Sequence, residues 1–187
     1  IRLSLVGSEM CIRDRYDGKA GYVPRGALYR IHPSNRTGGY LPIGEEIVNR
    51  WWGLPSQYEP SDLQAIPAEC KLSADRPLTL RAEVVEAFVA MVQAGEADGV
   101  QIRATSAYRS WWTQRDLYIR AVTKDGLNQR HTAPPGHSEH QLGTTVDIVD
   151  AAGQYILSPH FHLTAEGRWL EQNAGRFGFV RSYYEET

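Results

Sequence analysis

Stretches with a clear hydrophobic period alternate along this chain with stretches that have none. From Leu80 the period is helical, with Val84, Val85, Phe88, Val89 and Val92 recurring at three- and four-residue steps. Residues so spaced share one helix face, so they draw a single apolar stripe. Gly95 is the expected stop. The period then shortens to two: Val100-Gln101-Ile102-Arg103-Ala104-Thr105 alternates apolar and polar side chains and predicts a strand. It runs into the turn Ser106-Ala107-Tyr108-Arg109-Ser110, where Ser110 can cap a helix from Trp111 to about Val122. The apolar positions of that helix include Trp112, Leu117, Ile119 and Val122. Thr144-Thr145-Val146-Asp147-Ile148-Val149 is rich in β-branched residues and reads as a half-buried strand. Alternation puts Thr145, Asp147 and Val149 on one face and Val146 and Ile148 on the other. Thr164 to Phe177 predicts a third helix, capped by Thr164, with Trp169, Leu170, Ala174 and Phe177 on one side. Phe177-Gly178-Phe179-Val180 opens a last strand.

Upstream the pattern fades. Residues 16–46 are rich in Gly, Pro, Tyr and Arg without a sustained period, which suggests a linker or a covering segment. Ile47 to Pro55 starts the domain proper, expected to span residues 47–187. The first fifteen residues fit neither period, and Ile1 to Val6 is too short and interrupted for the apolar region of a secretory signal. They resemble a translated sequencing-adapter or vector remnant, so residues 1–15 are set outside the fold as a non-native or disordered head, and Cys11 receives no role.

At 187 residues the chain is long enough for one well-buried domain. A formal charge of -2 offers no basic footprint for nucleic acid, and no stretch approaches the roughly 20 apolar residues of a membrane span. The two cysteines, Cys11 and Cys70, allow at most one disulfide.

Candidate chemistry concentrates between Pro134 and Asp147. Pro134-Pro135-Gly136 marks a loop entering the segment, and His140 and Asp147 follow in quick succession. A neutral imidazole and a carboxylate both suit zinc, and a catalytic zinc needs three protein ligands and an open position for water. His140 and Asp147 are thus part of a possible metal site, while their spacing alone more often belongs to ordinary polar residues. His131 and His137 are weaker candidates beside them, and His160-Phe161-His162 lacks a second cluster and reads as a surface loop. Arg109, at a strand-to-helix junction, offers a planar fork of donors for a carboxylate or a developing oxyanion.

The pattern Ser138-x-His140-x-x-Gly143-x-x-x-Asp147, preceded by Ser106-Ala107-Tyr108-Arg109-Ser110, resembles the zinc D-alanyl-D-alanine carboxypeptidases of the VanY type, peptidase family M15. The resemblance covers about Val48 to Tyr184, with Tyr58-Glu59-Pro60-Ser61-Asp62-Leu63 matching a segment that wraps the family's domain. Trp51 and Trp52 beside it are expected to pack. The resemblance implies an α+β fold, a small antiparallel sheet carrying the zinc ligands with helices packed against it. It implies zinc (Zn2+) held by His140 and Asp147, Arg109 as a catalytic residue near the scissile carbonyl, and Ser138 and Gln114 as substrate-binding residues. The implied reaction removes the terminal D-Ala of a peptidoglycan stem peptide or D-Ala-D-Ala-terminated precursor, in the bacterial periplasm or cell envelope. A Glu-x-Trp-His segment supplies the family's general base and third zinc ligand, and no such segment precedes Thr187. The expectation is therefore a fragment, truncated at its C-terminus and inactive by itself. Two alternatives stand beside it: a metal-free peptidoglycan-binding pseudo-enzyme, and an L,D-carboxypeptidase or endopeptidase of the same superfamily.

Overall fold

In a computed structural model of the protein, residues 2–5, 48 and 52–182 are described, the first four by their backbone. The strands are β1 (Arg2–Leu5), β2 (Leu63–Ala65), β3 (Thr79–Arg81), β4 (Ile102–Ser106), β5 (Thr145–Asp150) and β6 (Phe179–Arg181). The helices are α1 (Ala82–Ala97), α2 (Trp111–Asp125) and α3 (Ala165–Asn173), with short 3₁₀ turns between elements. The architecture is α+β. The chain forms two compact units, one from residues 1–6, 60–108 and 143–187, the other from residues 7–59 and 109–142.

The first unit is built on a four-stranded sheet of order β4-β5-β1-β6, antiparallel throughout, with β2 and β3 forming a separate antiparallel pair. Helix α1 follows β3 without a loop. Its first amide, of Ala82, donates to the Asp62 carbonyl at 2.9 Å, and Glu83 in the first turn complements the helix dipole. The buried stripe runs Val84, Val85, Phe88, Met91, Val92 and Gly95, so Met91 takes the core place expected of half-buried Val89. Gly95 does not stop the helix, which continues to Ala97. Instead the missing Cβ admits Val100, whose Cγ2 lies 3.3 Å from where that atom would sit. Trp169 on α3 donates its indole N–H to Asp98 at 2.7 Å, tying the two helices at the end of α1.

β5 departs from expectation most. All six of its residues are buried, so both of its faces are covered, and its two edges are paired with β4 and β1. Its partner β4 pairs Ala104 with Ile148 and then slips, so that Ser106 stands opposite Asp147. Such a bulge adds one residue to a strand and re-aims its neighbours. The extra residue, Thr105, turns its hydroxyl to the Asp147 carbonyl at 3.2 Å. At the far end, the buried Asp150 carboxylate accepts from the amides of Gln154 and Tyr155, fixing the loop that leaves β5.

α3 begins where the sequence placed it, with the Thr164 hydroxyl accepting from the Gly167 amide at 3.0 Å. Its last turn, Ala174–Phe177, tightens to 3₁₀ before Gly178, at φ +80, redirects the chain into β6. Gly167 is a packing requirement, since a Cβ there would overlap the Phe161 carbonyl. The sequence reading set residues 1–15 aside, yet Arg2–Leu5 form β1 between β5 and β6. Alternation of polar and apolar residues in that tetrapeptide is compatible with a strand, and its backbone completes hydrogen bonding on both sides. Cys11 and Trp51 lie outside the described residues, and Trp52 is half-buried.

Among the described residues of the second unit there is one long helix, α2, and much irregular backbone. The Ser110 hydroxyl caps α2 by accepting from the Thr113 amide at 3.2 Å, and Gly126 at φ +83 closes it. The buried positions of α2 are Gln114 and Ala121. Of the four apolar positions expected from sequence, Leu117 and Val122 are half-buried, while Trp112 and Ile119 are both 54% exposed.

Candidate active site

The chain enters the second unit at Arg109, directly after Tyr108 donates its amide to the Thr79 carbonyl at 2.8 Å. The Arg109 amide donates to the His140 carbonyl at 3.0 Å, which brings two of the sequence-predicted residues together through their backbones. Its side chain is held as well. Nη1 donates to Gln114 Oε1 at 2.8 Å, and Gln114 Nε2 donates in turn to the Ala133 carbonyl at 2.6 Å. Gln114 is 1% exposed. The sequence marked it as a pocket residue, and the structure adds that both ends of its amide are engaged by protein groups.

The segment from Pro134 to Leu142 is folded by local bonds. The His137 amide donates to the Pro134 carbonyl, and the Gln141 amide to the Ser138 carbonyl, each at 3.0 Å. Gly136 stands at φ +86, with its carbonyl accepting from the Leu54 amide at 2.8 Å. A side chain there would meet the Leu54 carbonyl at 2.7 Å, so only glycine lets the two segments approach. The His137 imidazole packs on Gly53 and is buried. Ser138 is buried too, and His140, on the 3₁₀ turn Glu139–Leu142, is 0% exposed.

Gln141 was missed by the sequence reading. It is fully buried, and its Nε2 donates to the carbonyls of Pro55 at 3.1 Å and Tyr58 at 3.3 Å. A glutamine directly beside a candidate ligand, within a Gly- and Pro-rich loop, was the available signal. Buried irregular backbone needs side-chain donors when no strand or helix supplies them.

The chain returns to the first unit at Gly143, the glycine of the motif. At φ +74 it adopts a conformation that side chains resist, and its carbonyl accepts from the Arg81 amide at 3.0 Å. A Cβ would lie 3.0 Å from Arg81 Cγ and 3.2 Å from Leu63 Cδ2. The Arg81 guanidinium is itself anchored by Asp62, with Nε 3.1 Å from Oδ1. That pairing assigns a task to Asp62 in the Tyr58–Leu63 segment. Asp147 follows on β5 and is 2% exposed.

Arg109, Gln114, Ser138 and His140 therefore belong to the second unit and Asp147 to the first. His140 lies on a turn, and only Asp147 of the two candidate ligands lies on the sheet. The imidazole and carboxylate suit zinc in kind. Among the described residues no group of three or more His, Cys, Asp or Glu is placed to hold a metal ion. His131 is exposed and lies 3.0 Å from Asp125, while His160 and His162 sit on the 3₁₀ turn Pro159–Leu163. Among the described residues no helix is long and apolar enough to cross a membrane. The Cys70 thiol is pushed up from its ordinary pKa by burial and then by the charge of Glu69, which argues against a reactive thiolate.

With this geometry in hand, comparison with known proteins is informative. The family model described as VanY, D-alanyl-D-alanine carboxypeptidase, matches residues 77–187, more than half of the chain. YodJ of Bacillus subtilis (strain 168) is 34% identical over 142 residues, which is 73% of this chain and 51% of that protein. The chain thus spans about half the length of that relative. Among solved structures, the LdcB LD-carboxypeptidase aligns with a TM-score of 0.68 at 33% identity, covering 74% of this chain and 66% of that one. A mutant of the vancomycin-resistance D,D-pentapeptidase VanY, in complex with Zn(II), aligns with a TM-score of 0.54 at 27% identity, covering 73% and 75%.

Proposed function

This chain belongs to the VanY family, and from that premise we propose that it is a zinc carboxypeptidase of the cell envelope that removes the C-terminal D-alanine of peptidoglycan stem peptides. The observation that carries the reading is the buried pair of the motif, His140 at 0% and Asp147 at 2% exposure. Both occupy motif positions, and an imidazole and a carboxylate are residue types that suit zinc. His140 would hold zinc through an imidazole nitrogen and Asp147 through a carboxylate oxygen. Zinc, when bound, supplies the Lewis acidity that brings the pKa of a bound water toward neutrality. Arg109 would bind the negative charge of the substrate, at its terminal carboxylate and at the developing oxyanion. Ser138 would hydrogen-bond the terminal D-amino acid, and Gln114 would serve the same substrate pocket.

A catalytic zinc takes three protein ligands, and His140 and Asp147 would supply two of them. The test is to incubate the chain with stem pentapeptide and with stem tetrapeptide, with and without zinc, measuring peptide binding and released D-alanine. Binding with zinc-dependent release, however slow, supports the reading. Binding that zinc leaves unchanged, with no release, turns it into a metal-free peptidoglycan-binding module. If neither peptide binds, both readings fall.

An LD-specific reading has its own support, because LdcB aligns better than the D,D-pentapeptidase, 0.68 against 0.54 in TM-score. The same experiment separates them. Release from the pentapeptide marks D,D cleavage, and release from the tetrapeptide marks L,D cleavage.

A further inference from the structure

We infer that Gln114 is a positioning residue: it fixes the plane of the Arg109 guanidinium so that the fork meets a substrate carboxylate. The inference rests on the proposed function and assigns Gln114 a task different from direct substrate contact. It begins with the sense of the amide. The Ala133 carbonyl can only accept, so the group facing it at 2.6 Å is the Gln114 NH2. The Gln114 oxygen must then face the guanidinium, which can only donate, at 2.8 Å from Nη1. A neutral group with a donor at one end and an acceptor at the other fits this slot. A glutamate would set a carboxylate oxygen against the Ala133 carbonyl, and methionine would serve neither neighbour.

The amide is also well fixed. Gln114 is 1% exposed, its own backbone amide donates to the Ser110 carbonyl at 3.0 Å, and it lies one turn into a helix capped by Ser110. Arg109, by contrast, stands before the helix begins, on a long side chain with several rotatable bonds. A hydrogen bond to one guanidinium nitrogen from a fixed amide restricts rotation of the whole planar group, and a pre-oriented fork loses less freedom on binding a carboxylate. The Arg109 amide bond to the His140 carbonyl fixes the other end of the residue. Charge recognition is thereby tied to the Ala133 loop and to the candidate ligand's own turn.

The test compares two ligands, an acyl-D-Ala-D-Ala peptide with a free C-terminal carboxylate and the same peptide ending in a carboxamide. Both are titrated into the full 187-residue chain. The wild-type chain is expected to prefer the acid, and Gln114→Met to lower that preference about tenfold while the amide binds as before. A purely structural role would weaken both peptides equally and leave the preference untouched. Where Gln114→Met does not fold, Gln114→Leu replaces it. Its side chain likewise removes the bonds to Arg109 and Ala133, so the same loss of preference is expected. Nitrogen-15 NMR of the Arg109 guanidinium gives an independent reading, with slow rotation in the wild type and averaged Nη signals in either variant. If the wild type shows no preference for the acid, the proposed function falls and this inference with it. If the wild type shows the preference and the variant retains it in full, the inference alone is overturned.

Discussion

The two units of this chain hold themselves together by different means. In the first, α1 buries a continuous apolar stripe, β5 is covered on every residue, and Phe88, Met91, Ile102 and Ile148 are almost wholly removed from water. In the second, the buried positions of α2 are a glutamine and an alanine, and Gln114 and Gln141 bond the carbonyls of Ala133, Pro55 and Tyr58. Apolar burial is non-directional and roughly proportional to area, so it tolerates small shifts. Hydrogen bonds from buried amides are directional, and an unmade one is expensive. The contrast suits the chemistry: the unit that carries Arg109, Ser138 and His140 is organised by contacts that fix angles, while the unit that carries Asp147 supplies bulk stability.

Substitutions test that contrast by size of effect. Phe88→Ala should be the most damaging, at about 3–5 kcal/mol, because it empties a fully buried aromatic site. Denaturant unfolding followed by far-UV circular dichroism measures it, and a loss under about 1 kcal/mol would deny the apolar core its place in the comparison. Next comes Gly167→Ala. The added methyl meets the backbone of Phe161, which cannot swing aside, so about 1–3 kcal/mol is expected in thermal melts.

Gln141→Met keeps volume and removes the donor to two carbonyls, with an expected cost of about 1–3 kcal/mol. Here the distribution matters more than the total. Amide hydrogen exchange should accelerate in the Pro55–Tyr58 and Ser138–Leu142 segments while β4 and β5 keep their protection. Uniform acceleration would show that the polar clamp is not a local device. Ile119→Ser should change stability by less than about 0.5 kcal/mol, because that side chain already faces water. A larger loss would mean that α2 has an apolar anchor after all.

The smallest effect concerns Cys70. Its folded pKa is raised by burial, so the thiol's contribution is fully present below the ordinary thiol range and fades as pH climbs through the raised value. Site-resolved mass spectrometry should find Cys70 slow to alkylate near pH 8 in the native chain and fast in denaturant. Equal rates in both conditions would contradict its burial.

Much of the regular structure was legible in the sequence because its signals are local. The stripe Val84, Val85, Phe88 and Val92, the alternation leading into Arg109, and the caps Ser110 and Thr164 are all local signals, and the structure keeps each of them. The motif from Ser138 to Asp147 was legible as a resemblance, and it led to the family. Gly143 shows the limit of that reading. The motif marks a glycine there, but the positive φ and the close contact with Arg81 and Leu63 appear only in three dimensions.

What the sequence determined by itself is therefore the three helices, the strands β4, β5 and β6, the caps Ser110 and Thr164, and the family, while β1, β2 and β3 went unread. Tertiary structure decided which faces are buried. On α2 the sequence named Trp112, Leu117, Ile119 and Val122 as apolar positions; the structure leaves Trp112 and Ile119 exposed, half-buries Leu117 and Val122, and buries Gln114 and Ala121. Two residues along a helix is a rotation of roughly 200°, so Trp112 and Gln114 point to nearly opposite sides. The bonds from Gln114 to Arg109 and Ala133 hold its side inward. The reason is physical. An apolar period reports only the transfer energy of each side chain, whereas the choice of face depends on partners distant in the chain, here a guanidinium and a loop carbonyl.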